Sequence, residues 1–439
     1  MKTHRGRKES LTAEIRRSFD HTWSALESVG RDPRTGGYNR FAWTAADLTM
    51  REWFAAEARS RGLDVEVDRN GNQWAWWGQP QTDSVATGSH LDSVPGGGAF
   101  DGPLGVVSAF LAVDALREAG VAPVRSLAII NFFEEEGARF GLACLGSRLM
   151  AGAAHPDRAR GLTDDEGVSL AEAMSKSGID PDAIGSDPES LERIGTFVEL
   201  HVEQGKQLVY DGASVGVASF VWPHGRWHFC FSGEGNHAGT TALIDRHDPM
   251  LPFAETVSVS RRIADQYGAV STFGRIRVDP NGTNAIPTKV DAWFDARAKD
   301  ENSVTRVIRA LEAAGATVAA QHGVELAVTQ ESWTPLVDFD GSLRDQLVLS
   351  LGAAGVRTPV LHTAAGHDAG TLAAIVPTAM LFVRNPTGVS HSPHESAEES
   401  DCVDGVVALT TVLKDLLTRP QFDIPAEGIA FDPLLAGQT

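Results

Sequence analysis

The sequence predicts an α/β chain in which a smaller domain is inserted within a larger one. Three observations carry that prediction. At 439 residues the chain exceeds what one ordinary core organises, so two domains are expected. Between residues 84 and 136 apolar runs alternate with a helical stretch in the order strand, loop, helix, strand, loop, which is the rhythm of an open α/β sheet. Near residue 214 the texture changes to strands and amphipathic helices that read as a separate α+β block, and afterwards the earlier pattern returns.

In chain order, 47–61 has apolar residues at helical spacing and stops at Gly62. Strands are expected over 63–67 and 73–77, joined by a turn containing Asp68-Arg69-Asn70-Gly71. The apolar run 84–88 ends in Gly-Ser-His and so delivers His90 from a buried strand. A helix follows over 105–119, and a buried strand over 126–133 leads into Glu134-Glu135-Glu136. The stretch 157–191 is polar and acidic and reads as an excursion packed on the surface. A strand over 196–203 carries His201. In the middle block, strands are expected over 215–220, 225–232, 269–278 and 289–296, with helices over 252–267 and 303–314. A last helix runs from about 400 to 417, and the Pro/Gly-containing tail after Arg419 reads as docked or frayed. These readings divide the chain into residues 1–213 with 332–439, and an insert of 214–331.

Composition removes several functions. The formal net charge is −20, whereas a nucleic-acid binder needs a basic surface. The three cysteines, Cys144, Cys230 and Cys402, are too few and too scattered for a disulfide framework and suit a reducing compartment. No secretory h-region precedes residue 12 and no run is long enough to span a bilayer, so a cytoplasmic protein without a membrane partner is expected.

Five side chains suited to metal stand in unusual contexts: His90 in Gly-Ser-His-Leu-Asp, Asp101 in Ala-Phe-Asp-Gly, Glu136 in Glu-Glu-Glu-Gly, His201 in Glu-Leu-His-Val-Glu-Gln-Gly, and His391 in Ser-His-Ser-Pro-His-Glu. Two imidazoles and a shared carboxylate complete one divalent site; the same carboxylate with Glu136 and His391 completes a second. Mixed imidazole and carboxylate donors accept zinc, manganese, cobalt or nickel. Asp92, two residues after His90 on a strand end, points the same way and suits a group that orients the imidazole. Three acids directly after an apolar strand are costly unless something positive awaits them, and adjacent residues diverge, so Glu136 can bind metal while Glu135 faces an attacking water. Taken singly, His90 and His201 read as satisfied core histidines, Asp101 as a turn residue and His391 as a surface residue; the combination is what carries the reading.

That combination resembles the zinc-peptidase-like M20 superfamily, in its amidase branch of hydantoinase/carbamoylase type. The resemblance runs from about residue 18 to 417. It rests on Gly88-Ser-His-Leu-Asp-Ser-Val94, Phe100-Asp-Gly102, Glu135-Glu-Gly-Ala-Arg-Phe140, Glu199-Leu-His-Val-Glu-Gln-Gly205, Asn236-His-Ala-Gly-Thr-Thr241, Asn284-Ala-Ile-Pro287, Asp295-Ala-Arg297, Gly366-His-Asp-Ala369 and Ser390-His391. It implies that His90, Asp101, Glu136, His201 and His391 are metal ligands with Asp101 bridging two ions, and that Glu135 is the general base. It further implies that Gln204 and His367 lie beside substrate, and that the insert is a lid and dimerisation domain. From this insert Asn284 and Arg297 would bind a substrate carboxylate, closing over the metals together, and His237 would stabilise the oxyanion from the neighbouring subunit of a homodimer. The implied reaction is hydrolysis of an N-carbamoyl-L-amino acid, with allantoate or an N-formyl-L-amino acid as alternatives. A non-catalytic binding protein on this fold is disfavoured, since every ligand and the base are present. The segment Phe220-Val-Trp-Pro-His-Gly-Arg-Trp227 departs from the pattern of well-known carbamoylases and leaves the substrate open.

Overall fold

The computed structural model describes residues 2–419, with side chains from residue 12 onward; the tail expectation after Arg419 lies outside them. The described residues separate into two compact units, residues 2–219 with 338–419 and residues 220–337. In chain order the strands are β1 (Asp64–Val67), β2 (Gln73–Trp77), β3 (Ser84–His90), β4 (Leu127–Phe132), β5 (Ile194–Val202), β6 (Val215–Val221), β7 (His224–Ser232), β8 (Asn236–His237), β9 (Ala269–Asp279), β10 (Ala285–Ile286), β11 (Lys289–Ala298), β12 (Glu325–Thr334), β13 (Val337–Asp338), β14 (Val360–Thr363) and β15 (Thr378–Val383).

The first unit is built on a sheet of order β1-β2-β4-β3-β5-β15-β6-β13, with β14 beside β6. Its centre is parallel: β4, β3, β5 and β15 run together, while β1–β2, β2–β4 and β15–β6 are antiparallel. Every residue of β3, β4, β5 and β15 is buried, which is why these strands read as apolar runs rather than alternations. The helix Pro103–Glu118 is buried along most of its length and packs with the helix Glu399–Thr418 and the first helix, Lys2–Ser24, in the principal core. From β3 the chain crosses to β4 on one side, whereas β5 pairs with β3 on the other. That reversal opens a crevice at the carboxyl ends of β3 and β5, the usual ligand position in such sheets. Among the described residues no helix is long and apolar enough to cross a membrane.

The excursion 157–191 does more than lie on the surface. Its short helix Leu170–Lys176, closed by a Ser169/Glu172 capping box, buries Leu170, Ala173 and Met174 in a cluster with Phe133, Phe140 and Leu145. It thereby braces the loop that follows β4.

The second unit is a four-stranded antiparallel sheet of order β12-β7-β11-β9. Trp227, Phe229 and Phe231 of β7 and Val290, Ala292, Phe294 and Ala296 of β11 alternate onto the face covered by the helices Met250–Gln266 and Glu301–Gln321. The expectation of a strand over 215–220 in this block needs correction. Val215 to Val217 pair with β15 of the large sheet, and the fourth strand of the small sheet is β12. A strand buried on both faces such as β6 belongs inside a large sheet, whereas β12 is an edge strand exposed along much of its length.

Candidate metal centre

His90 closes β3, Glu134–Glu136 follow β4, and His201 lies one residue before the end of β5. All are presented at the carboxyl ends of neighbouring parallel strands. His90 Nε2 lies 3.6 Å and His201 Nε2 3.2 Å from Asp101 Oδ1. His391 Nε2 lies 3.5 Å from Asp101 Oδ2 and 3.6 Å from Glu136 Oε2. The five residues expected as ligands are therefore brought together as two trios sharing Asp101.

These trios fit divalent ions. Two donors on one tetrahedral ion with bonds of about 2.1 Å stand about 3.4 Å apart, the spacing observed. His201 Nδ1–H donates to the Val202 carbonyl at 2.9 Å, leaving the Nε2 lone pair toward Asp101. His90 Nδ1 is turned to the Asp92 carbonyl at 3.2 Å and the Asp92 carboxylate at 3.4 Å. The Nε2 atoms of both rings, and Glu136 Oε1, are buried without hydrogen-bond partners. Lone pairs facing a carboxylate in a buried pocket suit a cation between them. Gly102 belongs to the same geometry: with φ +86, a Cβ there would stand 2.4 Å from the His90 ring.

The electrostatics agree. Burial works to raise the Asp101 carboxyl, but the His201 and His90 imidazoles outweigh it and hold it well below the usual carboxylate range. Burial pushes Glu135 well up, with Asp368 and Glu136 adding to the push against the His90 ring. Burial likewise raises Glu136, reinforced by Asp101. Glu135 Oε2 lies 3.6 Å from His90 Nε2, beside the ring of the inner trio. Of the three consecutive glutamates, Glu134 turns away: at φ 49 its Oε1 accepts the N–H groups of Arg139 and Phe140 at 2.9 and 2.8 Å. Asp92 does more than orient His90, since its carboxylate also accepts the N–H groups of Glu135 and Glu136 at 3.2 and 3.1 Å.

Gln204 Nε2 donates to Asp101 Oδ2 at 2.7 Å. His367 packs against His201 with ring centroids 4.5 Å apart and the planes tilted by 54°; burial lowers its pKa well below the usual value. Three residues in this pocket escaped the sequence reading. Glu199 accepts from Ser89 Oγ and the Ala369 N–H, both at 2.9 Å, and its place two residues before His201 was the signal. Asp368 accepts from Ser147 Oγ and lay inside the quoted Gly-His-Asp motif. Glu395, four residues past His391, accepts the N–H groups of Phe100 and Asp101 at 3.0 Å each; no spacing rule pointed to it.

In the second unit, His237 pairs with Ala285 across β8–β10, so His237 and Asn284 are neighbours, and both are exposed. His237 Nδ1 accepts the Gly239 N–H at 3.0 Å, which puts the proton of a neutral ring on Nε2. Arg297 is elsewhere. It stands near the far end of β11, opposite His224, with its guanidinium forked onto Asp295 at 2.8 and 3.1 Å. From Lys289, the end nearest Asn284, to Arg297 is about 27 Å of strand. The expectation that one closing lid brings Asn284 and Arg297 over the same metals is therefore corrected: within one protomer they cannot reach one small substrate.

Residues 86–415 match peptidase family M20/M25/M40, and the chain belongs to that family, whose enzymes use divalent metals. Within it the chain is an amidohydrolase of the hydantoinase/carbamoylase branch. It is 36% identical over 394 residues to the N-carbamoyl-L-amino acid amidohydrolase of Geobacillus stearothermophilus, covering 88% of this chain and 94% of that protein. It is 31% identical over 417 residues to the allantoate amidohydrolase of Escherichia coli, covering 92% and 99% respectively. The crystal structure of a hydantoinase/carbamoylase family amidase from Burkholderia vietnamiensis superposes with a TM-score of 0.83 at 27% identity, covering 92% of this chain and 98% of that one.

Proposed function

We propose that this protein hydrolyses the carbamoyl C–N bond of N-carbamoyl-L-amino acids, using two divalent ions held by His90, Asp101 and His201 and by Asp101, Glu136 and His391. The observation that carries the reading is the pair of trios meeting on one buried carboxylate. The similarity to the carbamoyl amino acid amidohydrolase of Geobacillus stearothermophilus supports the substrate class. Ions bound there supply Lewis acidity, polarising the scissile carbonyl and making water acidic enough to ionise near neutral pH.

The chain's own residues do the rest. Glu135 takes the proton of the attacking water and returns it to the departing nitrogen. Burial, with its acidic neighbours, raises the Glu135 carboxyl, the direction that suits a group which takes up and returns a proton. Gln204 and His367 line the substrate side of the ligands. Arg297 holds the α-carboxylate through its forked donors, with Asp295 fixing the guanidinium plane. His237 donates from Nε2 to the developing oxyanion, and the Asn284 carboxamide N–H donates a hydrogen bond to the carboxylate. Because Arg297 and the His237–Asn284 pair occupy opposite ends of β11, one substrate meets both when two protomers contribute, so in this scheme the protein works as a homodimer with shared sites. The second unit acts as the lid and dimerisation domain in this scheme.

A second reading is allantoate hydrolysis. It is favoured by the polar neighbours of Arg297 on its sheet face, His224, Arg226 and Asp295, which suit a second ureido arm. The test is ammonia and amine release from N-carbamoyl-L-amino acids, allantoate and N-formyl-L-amino acids, with and without chelator. Chelator-sensitive turnover of carbamoyl amino acids is expected; turnover of allantoate alone would replace the first reading by the second, and chelator-resistant turnover would refute both.

A further inference from the structure

We propose that Glu395 is a positioning residue that sets the affinity of the outer ion, the one assigned to Asp101, Glu136 and His391, by tying the loop of His391 to the loop of Asp101. The inference rests on the two-ion reading above.

The two ion positions differ in how their ligands are held. His90 and His201 sit on strand ends, fully buried, each with Nδ1 set against a backbone carbonyl. His391 comes from an irregular segment after β15. It has φ 54 and a half-exposed side chain. Strand packing therefore fixes the inner pair, and something local has to fix the outer histidine.

Glu395 is in that place. Its N–H donates to the Ser392 carbonyl at 3.0 Å, closing a turn directly after His391. Its Oε1 accepts the N–H groups of both Phe100 and Asp101. Ser390 Oγ lies 3.1 Å from Glu395 Oε2 and 3.1 Å from Asp101 Oδ2. The carboxylate is thus a clamp between two loops that are some 290 residues apart in sequence. Gly98 makes room for it, since a Cβ at residue 98 would stand 2.3 Å from Glu395 Oε1. Among the described residues, none of the candidate metal-holding trios includes Glu395. Gln204 Nε2 lies 2.7 Å from Asp101 Oδ2 and 3.2 Å from His391 Nε2; the inner ion keeps the strand-held His90 and His201 in either case, so loss of Glu395 falls mainly on the outer ion.

The test titrates metal-free protein with zinc against a chromophoric chelator. Wild type should bind two equivalents in distinguishable steps. Glu395→Ala should weaken the second step by roughly 10–100-fold and leave the first nearly unmoved. Glu395→Gln should restore most of the second step, because a carboxamide oxygen still accepts the two N–H groups and its nitrogen can donate to Ser390. That rescue separates positioning from general destabilisation. If Glu395→Ala does not fold, Ser390→Ala carries the test, with a loss of roughly 5-fold on the second step expected for one hydrogen bond. A second step that stays in place in folded variants, or equal weakening of both steps, would overturn the inference. A wild-type titration that ends at one equivalent would instead overturn the two-ion reading, and this inference with it.

Discussion

The separation of Arg297 from His237 and Asn284 leads to a prediction about mixed subunits. Arg297→Ala removes charge-assisted hydrogen bonds to the substrate carboxylate, each contributing about 1.5–3 kcal/mol, so kcat/KM should fall roughly 10- to 150-fold or more. His237→Ala removes an oxyanion donor and should cost about 10²–10³ in kcat. About 27 Å of β11 lies between the two groups in one protomer, several times the length of a carbamoyl amino acid. In a dimer with shared sites, each site takes Arg297 from one protomer and His237 from the other. A mixed dimer of the two variants then has one site lacking both groups and one site that is complete. Random re-pairing of equal amounts makes half the dimers mixed, so the mixture should recover about one quarter of the wild-type rate. Doubly tagged, purified mixed dimers should reach about one half. The assay is ammonia release after subunit exchange, with each variant alone as the baseline. If both groups instead served a site from the same protomer, every site in the mixture would lack one of them. Activity that stays at the average of the two variants would refute the shared-site geometry.

Other consequences are simpler to measure. Glu135→Gln keeps the side-chain volume and should lower kcat by about 10²–10⁴ while metal content by elemental analysis stays at the wild-type level; a fully active variant would remove Glu135 from the base role. Gly102→Ala places a methyl group 2.4 Å from the His90 ring at φ +86, so it should lower zinc affinity and cost about 1–2 kcal/mol in stability from the backbone alone, read by chelator competition and urea midpoints. Asp47 is buried, accepts the Trp43 N–H at 2.7 Å, and burial pushes its carboxyl from 3.8 up to about 6 against the opposing Arg51 charge. Because the folded state then holds the proton more tightly, this group's contribution is full below the unfolded pKa and is lost as pH rises through about 6. Asp47→Asn should therefore gain on wild type between pH about 4 and about 7, by at most about 3 kcal/mol, and parallel urea midpoints across that range would refute the shift.

The parts of this molecule that could be read from sequence are those where local pattern and burial coincide. β3, β4 and β5 are buried on both faces, so their apolar runs showed where they lie and put His90, Glu135, Glu136 and His201 at strand ends before any tertiary contact was known. The same rule misplaced β6, because an apolar run does not say which sheet takes it, and it passed over β12, whose exposed edge carries little apolar signal. The site divides in the same way. The candidate ligand histidines and acids stood out because their residue types are costly in apolar surroundings. Glu395 did not, since a glutamate in a Ser/Pro-containing loop is ordinary until the N–H groups of Phe100 and Asp101 are found against it. The distance between Asn284 and Arg297 is the opposite case. Reading 289–296 as one extended strand already implied that residues flanking it stand far apart, and combining them in one lid overlooked that consequence. A strand is a ruler as well as a sheet element, and here its length is what the shared-site proposal rests on and what the mixed-dimer assay tests.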